Sequence, residues 1–239
     1  MKIALIGYGK MGHEIERIAR ERGHEIVCAI EMGEEEKFRS PAFRNADVAI
    51  EFTTPQSALQ NYKQAFAAGL PVVSGTTGWL EQLNEIKEEC AKNGKTFFYA
   101  SNFSLGVNIF FALNRYLAKV MNRFPGYDVR MEETHHIHKL DAPSGTAITL
   151  AEGILEQVER KEKWVVNQAA SSHDLQIQAF REGEVPGIHT VIYESDSDSI
   201  RITHDAKNRR GFALGAVLAA EFTQGKKGFL GMKDLLGAL

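Results

Sequence analysis

Hydrophobic positions in the first hundred residues alternate between short apolar runs and longer runs with helical spacing. The short runs, of strand length, include KIALIG, EIVCAIE and ADVAIEF. Between them lie segments in which apolar residues recur every three or four positions, such as MGHEIERIARERG and PQSALQNYKQAFAAG. This βαβ succession predicts a Rossmann-type, doubly wound parallel sheet.

The pattern changes in the second half of the chain. From about His173 onwards, three runs alternate apolar and polar residues with a period of two: LQIQAFRE, GIHTVIYES and DSIRITHDA. The turn-rich stretches GEVPG and SDSD separate them, which predicts strands of a second, α+β domain with a mostly antiparallel sheet. An Ala/Leu-rich helical run, GFALGAVLAAEF, follows. The predicted fold class is therefore α/β, with two domains.

Composition and charge restrict the function classes. The 239 residues are 44% hydrophobic and 25% charged, which is typical of a soluble globular protein, and the formal net charge is −3. That charge argues against a general nucleic-acid binder or a membrane-surface binder. The apolar run after Lys2 is broken by glycines and charges within a few residues, so we expect neither a signal peptide nor a membrane span, and a cytoplasmic protein.

A glycine loop directly follows the first predicted strand and opens a predicted helix: Gly7, Tyr8, Gly9, Lys10, Met11 and Gly12. In this context G-x-G-x-x-G is typical of a dinucleotide-binding turn, in which backbone N–H groups and the helix N-terminus receive a pyrophosphate. A purely structural strand-to-helix turn is the alternative.

Glu31 ends the second predicted strand, about 20 residues after the glycine loop, where a carboxylate binds the ribose of NAD. A carboxylate repels a 2′-phosphate, and the next residue is Met32 rather than an arginine, so the sequence favours NADH. Lys37 and Arg39 in the following charged loop are the counter-argument, since either could reach a phosphate.

Two further strand ends carry small and hydroxyl residues, SGTTGW from Ser74 and ASNFSLGVN from Ala100. In a doubly wound sheet such ends open the ligand crevice. Ordinary turn and N-cap chemistry, with Thr77 and Asn102 as caps, explains them equally well.

The segment EETHHIHKLDAPSGTA, residues 132–147, carries the most specific chemistry. If its first part is a strand, Glu133, His135 and Lys139 share one face, while Glu132, His136 and His138 share the other. That face would hold a proton-donating imidazole and an ammonium that binds an anion or donates a proton.

The turn after this strand precedes the helical run AITLAEGILEQV. Ser144, Gly145 and Thr146 lie where the first free N–H groups of that helix form a carboxylate site. Three close histidines could instead bind zinc, but they lack a common zinc spacing, or they could be solvated strand residues without function. We assign no individual role to His173, His189 or His204.

Together with SGTTG, ASNFSLGVNIF and VPGIHTVIYESDSDSIRITHDAKNRRGFALGAVLAAEF, this segment resembles the 4-hydroxy-tetrahydrodipicolinate reductase (dihydrodipicolinate reductase) family over most of the chain. The resemblance implies NAD(P)H-dependent reduction of a small dicarboxylate in diaminopimelate and lysine synthesis, and a homotetramer. The histidine spacing leads us to expect no metal. It implies His135 as proton donor, Lys139 as second acid, and His136, Ser144, Gly145 and Thr146 as substrate contacts. It implies nucleotide contacts at Gly7, Tyr8, Gly9, Lys10, Met11, Gly12, Glu31, Gly75, Thr76, Thr77, Ala100, Ser101, Asn102 and Phe103.

Two features depart from the family pattern. The family commonly has G-x-x-G-[RK]-M-G, and here Ile6 occupies the first glycine position, which predicts a phosphate turn one residue tighter. The segment after the second strand, beside the adenosine ribose, is also shorter than usual.

The expected organisation is a dinucleotide-binding domain of residues 1–104, completed by 213–239, and a substrate-binding and oligomerisation domain of residues 105–212. A sugar or semialdehyde dehydrogenase of the same two-domain plan and a non-catalytic NADH-sensing regulator are the alternative functions.

Overall fold

The computed structural model describes residues 1–208 and 210–237. These residues divide into two compact units, 1–105 with 210–237, and 106–208. Arg209 in the predicted segment 105–212, and the last two residues of the predicted segment 213–239, lie outside the described residues. No helix among the described residues is long and apolar enough to cross a membrane.

The first unit is built on a parallel sheet. Its strands are β1 (Lys2–Ile6), β2 (Glu25–Ile30), β3 (Val48–Glu51), β4 (Val72–Ser74), β5 (Thr96–Tyr99) and β11 (Gly228–Leu230). They lie in the order β11-β5-β4-β3-β1-β2, and every neighbouring pair is parallel. The strand order reverses between β1 and β3, so the loops after these two strands diverge and open a crevice at the carboxyl edge of the sheet.

Helices cover both faces of this sheet. They are α1 (Lys10–Glu21), α2 (Pro41–Arg44), α3 (Pro55–Ala67), α4 (Leu83–Asn93), α7 (Arg210–Phe222) and α8 (Met232–Leu236), with 3₁₀ turns at Glu35–Arg39 and Leu80–Gln82. The returning α7 buries a row of small side chains against the core that contains β1 and α1. A Cβ atom at Gly215 of α7 would lie 1.8 Å from the Phe103 carbonyl oxygen, so this helix needs glycine for its close approach.

The second unit packs two helices against one sheet. The helices are α5 (Leu105–Met121) and α6 (Gly145–Leu155), and the strands are β6 (Asp128–His135), β7 (Lys163–Val166), β8 (Asp174–Arg181), β9 (Ile188–Glu194) and β10 (Ser199–Asp205). Along β6 the buried positions alternate with partly exposed ones, because successive side chains point to opposite faces. One face of the sheet therefore packs against the hydrophobic core, and α6 covers that face.

The predicted second domain with its own sheet is confirmed, and the sheet is mixed. The strand order is β10-β9-β6-β8-β7, and the pairs β10–β9 and β9–β6 are antiparallel, while β6–β8 and β8–β7 are parallel. The crossover through α6 returns the chain to the end of the sheet where β6 began, so β7 and then β8 run in the direction of β6, whereas β9 runs against it. Period-two alternation predicts a strand but contains no information on its direction.

Candidate active site

Each glycine of the loop after β1 has a different geometric function. Gly7 has φ +89°, and its N–H donates to the Ile30 carbonyl oxygen at 2.9 Å. A Cβ at Gly7 would lie 2.1 Å from the Phe52 carbonyl oxygen, and one at Gly12 would lie 2.5 Å from the Gly7 carbonyl oxygen. A Cβ at Gly9 would meet no protein atom within 4 Å. Gly7 and Gly12 are thus needed for the turn and its packing, whereas Gly9 leaves open space at the start of α1.

This difference predicts opposite phenotypes for two alanine variants. Gly7→Ala is expected to lower the melting temperature, because a positive φ and the Phe52 clash together cost several kcal/mol. Gly9→Ala is expected to keep the wild-type melting temperature but to raise the Kd for NADH about tenfold, because the new methyl group occupies the space of the pyrophosphate. Thermal unfolding and fluorescence titration measure the two effects, and unchanged NADH affinity in Gly9→Ala would contradict the phosphate-turn assignment.

Two adjoining cavities follow the carboxyl edge of the sheet around this loop. They have volumes of about 750 Å³ and 330 Å³, and both are lined by Gly9, Phe52 and Thr53. Together they form a crevice along the switch point between β1 and β3. The crevice brings together the following predicted nucleotide contacts: Gly7, Tyr8, Gly9, Lys10, Met11, Glu31, Gly75, Thr76 and Thr77.

The other predicted contacts line neither cavity. Gly12 packs under the loop, and Ala100, Ser101, Asn102 and Phe103 follow β5. The Phe103 side chain is buried, with its ring centroid 5.6 Å from that of Phe52. The Asn102 Oδ1 atom accepts from the Ser104 N–H at 2.9 Å, which is the local turn chemistry that the sequence also allowed. Nucleotide contact by residues 100–103 stays a prediction.

A buried carboxylate that the sequence analysis missed connects two loops of the crevice. Glu51, the last residue of β3, is fully buried and accepts hydrogen bonds from the Thr53 N–H at 3.1 Å, the Thr76 hydroxyl at 2.9 Å and the Ser74 hydroxyl at 2.7 Å. Burial raises the pKa of Glu51, and the hydroxyl donors oppose that shift. Because β3 reads as one apolar run, a charged residue at its end is the signal that could have identified this position.

The region after β2 presents carboxylates rather than cations to the larger cavity. Glu31 and Glu35 both line it. The Lys37 ammonium instead donates to the Ala29 carbonyl oxygen at 3.1 Å and pairs with Glu34 at 2.5 Å. Arg39 lines a separate cavity of about 420 Å³. Lys37 is nevertheless close to Glu31, because the Glu34 Oε2 atom that pairs with its ammonium also accepts from the Glu31 N–H at 3.0 Å.

In the second unit, the predicted proton donor lies at the end of a strand. His135 is the last residue of β6 and is buried, and its Nδ1 atom lies 3.6 Å from a carboxylate oxygen of Glu133. Burial lowers the pKa of His135, the Glu133 charge opposes this shift, and the charges of Lys139 and Arg181 add to it. Burial and the two cations therefore favour the neutral imidazole, whereas Glu133 favours the protonated one. Their balance sets the pH at which His135 loses its proton.

The prediction that Lys139 continues the strand face of His135 is wrong. The strand ends at His135, and the residues after it turn, with the Lys139 N–H donating to the His136 carbonyl oxygen at 3.1 Å. The Lys139 ammonium bonds both carboxylate oxygens of Asp141 at 2.8 Å. Turn residues no longer alternate about a strand axis, so the period-two assignment fails beyond His135. His136 is partly exposed in the same turn.

The start of α6 provides backbone donors beside this turn. Ser144 is the N-cap residue: its hydroxyl accepts from the Ala147 N–H at 3.2 Å, and its own N–H donates to both oxygens of Glu133 at 3.2 and 3.1 Å. Ser144 is buried, and both its N–H and its hydroxyl are already hydrogen-bonded within the protein. The N–H groups of Gly145 and Thr146 are first-turn donors without an intrahelical acceptor, so they are the ones suited to bind an anion.

Two residues that the sequence analysis left without a role join His135 through the strand register. Glu133 on β6 lies opposite His189 on β9, and His135 lies opposite Arg181 on β8. The His135 and His189 ring centroids are 5.0 Å apart, and His189 Nε2 is 2.9 Å from the Ser144 hydroxyl. Burial lowers the pKa of His189 to about 3, so this imidazole is neutral near pH 7. His189 and buried Val191 are two positions apart in β9, and this spacing was the signal in the sequence that His189 shares the buried face. The residues that lie opposite it on the next strand cannot be deduced from the sequence of one strand.

The Arg181 guanidinium holds the turn that contains Lys139. It donates to the carbonyl oxygens of Lys139 at 3.2 Å and of Asp141 at 2.7 Å, and it lies 3.7 Å from Glu133. The second unit thus combines a buried imidazole, an ammonium and a helix N-terminus. With a dinucleotide crevice in the first unit, this defines a two-domain oxidoreductase that uses a pyridine nucleotide.

Comparison with known proteins narrows this class. The family described as dihydrodipicolinate reductase, N-terminus, matches residues 1–103, and dihydrodipicolinate reductase, C-terminus, matches residues 106–236. The chain is 50% identical over 239 residues to a 4-hydroxy-tetrahydrodipicolinate reductase of Christiangramia forsetii, covering 100% of this chain and 99% of that protein. It is 37% identical over 234 residues to the Staphylococcus aureus protein of the same name, covering 92% and 94%.

A solved structure shows the same fold. It is described as a dipicolinate-bound dihydrodipicolinate reductase from Paenisporosarcina sp. TG-14, and it matches with a TM-score of 0.78 and 22% identity over 98% of both chains. The chain belongs to the dihydrodipicolinate reductase family.

Proposed function

We propose that this chain reduces 4-hydroxy-tetrahydrodipicolinate to tetrahydrodipicolinate, a step of diaminopimelate and lysine synthesis, with a hydride from the nicotinamide C4 of NADH or NADPH. Family membership over both units supports the reaction. In sum, the 4-hydroxyl is replaced by hydrogen, so one hydride and one proton enter the substrate and one water leaves. The bound nucleotide supplies the hydride, and the residues of the chain bind, orient and protonate.

The observation that carries the proposal is the short connection between His135 and the start of α6. Both contact Glu133, since its carboxylate lies 3.6 Å from His135 Nδ1 and accepts the Ser144 N–H. A substrate carboxylate bound by the Gly145 and Thr146 amides would therefore place the ring near a proton donor. The ammonium of Lys139, in the turn between them, would bind a negative charge on the same substrate and serve as second acid.

The direct test mixes purified protein, reduced nucleotide and freshly generated 4-hydroxy-tetrahydrodipicolinate and follows absorbance at 340 nm. Substrate-dependent oxidation is expected with at least one of the two nucleotides. A protein that binds NADH but never oxidises it in the presence of substrate would contradict the reductase function and favour a sensing role.

We infer further that NADH is preferred over NADPH. Glu31 lines the larger cavity, whereas neither cation of the loop lines it: Lys37 is paired with Glu34, and Arg39 lines another cavity. A carboxylate at hydrogen-bond distance from the ribose hydroxyls favours NADH, and it repels a phosphate in the same position. A difference of ~1–2 kcal/mol corresponds to a roughly ten- to thirtyfold preference.

Glu31→Gln is expected to reduce this preference, because the amide still accepts a hydrogen bond from the ribose but carries no charge. Comparing kcat/KM for both nucleotides measures the effect, with Glu36→Gln as control, since Glu36 is an exposed residue of the 3₁₀ turn that follows Glu31 in the chain. A wild-type preference for NADPH that fades with rising salt would show instead that loop cations bind the phosphate.

A homotetramer and a cytoplasmic location stay predictions. The outer strand β10 supports assembly through the second sheet, because it is an edge strand whose residues are mostly exposed, including Ile200 at 39%. Edge strands with free backbone groups pair readily with a further chain. Light scattering coupled to gel filtration tests the subunit number.

A further inference from the structure

The carboxylate of Glu133 is the point at which the elements of the second-unit site meet. The side chain is 1% exposed, and the Ser144 N–H donates to both of its oxygens at 3.2 and 3.1 Å. Its oxygens also lie 3.6 Å from His135 Nδ1, 3.7 Å from His189 Nε2 and 3.7 Å from an Arg181 nitrogen. A buried carboxylate is retained only where donors and positive charges surround it in this way.

The two ring nitrogens of His135 have different surroundings. Nδ1 is fully buried and has no hydrogen-bond partner, and a carboxylate oxygen of Glu133 lies 3.6 Å from it. A Cβ at Gly187 would lie 3.0 Å from Nε2, so the absence of a side chain there keeps the space beside Nε2 clear. Because Nδ1 faces the protein interior, Nε2 is the nitrogen available to a substrate.

We propose that Glu133 is a positioning residue for proton delivery: it holds the Nδ1 edge of His135 so that Nε2 donates, and it fixes the first turn of α6 through Ser144. The inference rests on the proposed reductase function. When Nε2 gives its proton to the substrate, the imidazole becomes neutral and keeps a proton on Nδ1, directed at the carboxylate. A carboxylate in this place favours that tautomer and stabilises the imidazolium that precedes it.

The separation of 3.6 Å is longer than a hydrogen bond, so the interaction in this conformation is electrostatic. Catalytic hydrogen bonds are often long in ligand-free proteins and shorten in the substrate complex. The pKa of His135 reflects the interaction already, since the Glu133 charge raises it against the larger effect of burial. Removal of that charge should therefore make His135 lose its proton at lower pH.

Metal binding is the competing role for the same groups. Glu133, His135 and His189 offer ligand atoms that all lie within 4.8 Å of one another. The positioning role is favoured because the Ser144 amide bonds both carboxylate oxygens, and the Ser144 hydroxyl contacts His189 Nε2 at 2.9 Å. A metal ion would have to displace these contacts.

The central experiment compares Glu133→Gln with Glu132→Gln. Glutamine preserves the size of the side chain and an acceptor for the Ser144 N–H but removes the charge. The control residue is the neighbour on the opposite strand face, where it is partly exposed and pairs with Arg130. For Glu133→Gln, kcat is expected to fall about 10–100-fold, with unchanged NADH affinity, and the alkaline limb of the kcat–pH profile is expected to move to lower pH. Glu132→Gln is expected to retain both wild-type properties.

A conservative variant separates charge from packing. Glu133→Asp keeps the charge on a shorter side chain, so its alkaline limb is expected to stay near that of wild type even though kcat falls. A Glu133→Gln enzyme with the wild-type limb, whether or not kcat falls, would overturn the positioning role. Stoichiometric zinc in the wild-type protein that is lost in Glu133→Gln would also overturn it, in favour of a metal site.

One measurement does not depend on turnover. Titration of the His135 imidazole by NMR in wild type and Glu133→Gln reports both its pKa and the tautomer of the neutral ring. The expected result is an Nδ1–H tautomer in wild type and a lower pKa in the variant. If the wild type shows this result but never oxidises NADH with the substrate, the proposed function fails and the positioning of His135 by Glu133 stands. An Nε2–H tautomer in the wild type would overturn the inference.

Discussion

His135→Ala is expected to lower kcat by about 10²–10⁴-fold, which is the range that a positioned general acid contributes. The affinity for NADH is expected to remain unchanged, because the nucleotide crevice is built entirely from residues of the first unit. Steady-state kinetics with saturating nucleotide and a fluorescence titration of NADH measure the two quantities. Turnover near that of wild type would remove His135 from the role of proton donor.

The matched control for this variant is His138→Ala. His138 lies three residues further along and is exposed; its ring nitrogen is 2.8 Å from Glu184, and its ring centroid is 5.9 Å from that of His136. It is expected to keep wild-type kcat. Since alanine at the buried position 135 also leaves a small cavity, His135→Gln and a melting temperature for each variant separate loss of the acid from loss of stability.

The pH profile of the wild-type enzyme provides a second observable for the same residue. A general acid works in its protonated form, so kcat is expected to fall as pH rises through the pKa of His135 in the substrate complex. Burial lowers that pKa in the free protein, and Lys139 and Arg181 add to the shift. A bound dicarboxylate would oppose them with negative charge. We therefore expect the alkaline limb to lie at higher pH in kcat than in kcat/KM.

The parallel sheet and its nucleotide loop could be predicted because their signals are local. Strands β1 to β5 are contiguous apolar runs, and the glycine spacing follows directly from the turn that Gly7 and Gly12 must make, whereas the three-residue β11 was not predicted. The positions of Lys37 and Arg39 could not be predicted in this way. Whether a loop cation reaches a phosphate depends on which acceptor it finds after folding, and Lys37 finds Glu34 and the Ala29 carbonyl oxygen.

In the second unit, the residue types of the site could be predicted but their partners could not. His135 and the start of α6 are adjacent in sequence, so a local reading joins them. His189 and Arg181 reach His135 only through the register of β9 and β8 on β6, which depends on strand order and direction. The mixed sheet is what places one of them on each side of β6. A reading of separate strands therefore identified His135 as a candidate proton donor and missed the groups that surround it.

Lys139→Ala is expected to lower kcat/KM by about 10–150-fold, with a lower kcat and a higher KM. This range corresponds to ~1.5–3 kcal/mol for a hydrogen bond to a charged group. In the free protein the ammonium is held by Asp141 at 2.8 Å, in a turn that Arg181 fixes through the carbonyl oxygens of residues 139 and 141. A substrate carboxylate would take over part of that pairing. Unchanged kcat/KM would contradict both roles of the lysine.

Lys139→Arg distinguishes binding from proton donation, because arginine keeps the positive charge but does not release a proton near neutral pH. If the lysine acts as second acid, this variant is expected to keep KM near that of wild type and to lose kcat; if the lysine only binds the anion, kcat is retained. The alkaline limb gives an independent check. The Lys139 charge lowers the pKa of His135, so Lys139→Ala is expected to move the limb to higher pH, the direction opposite to that of Glu133→Gln. Limbs that move in the same direction in the two variants would contradict opposite effects of the two charges on His135.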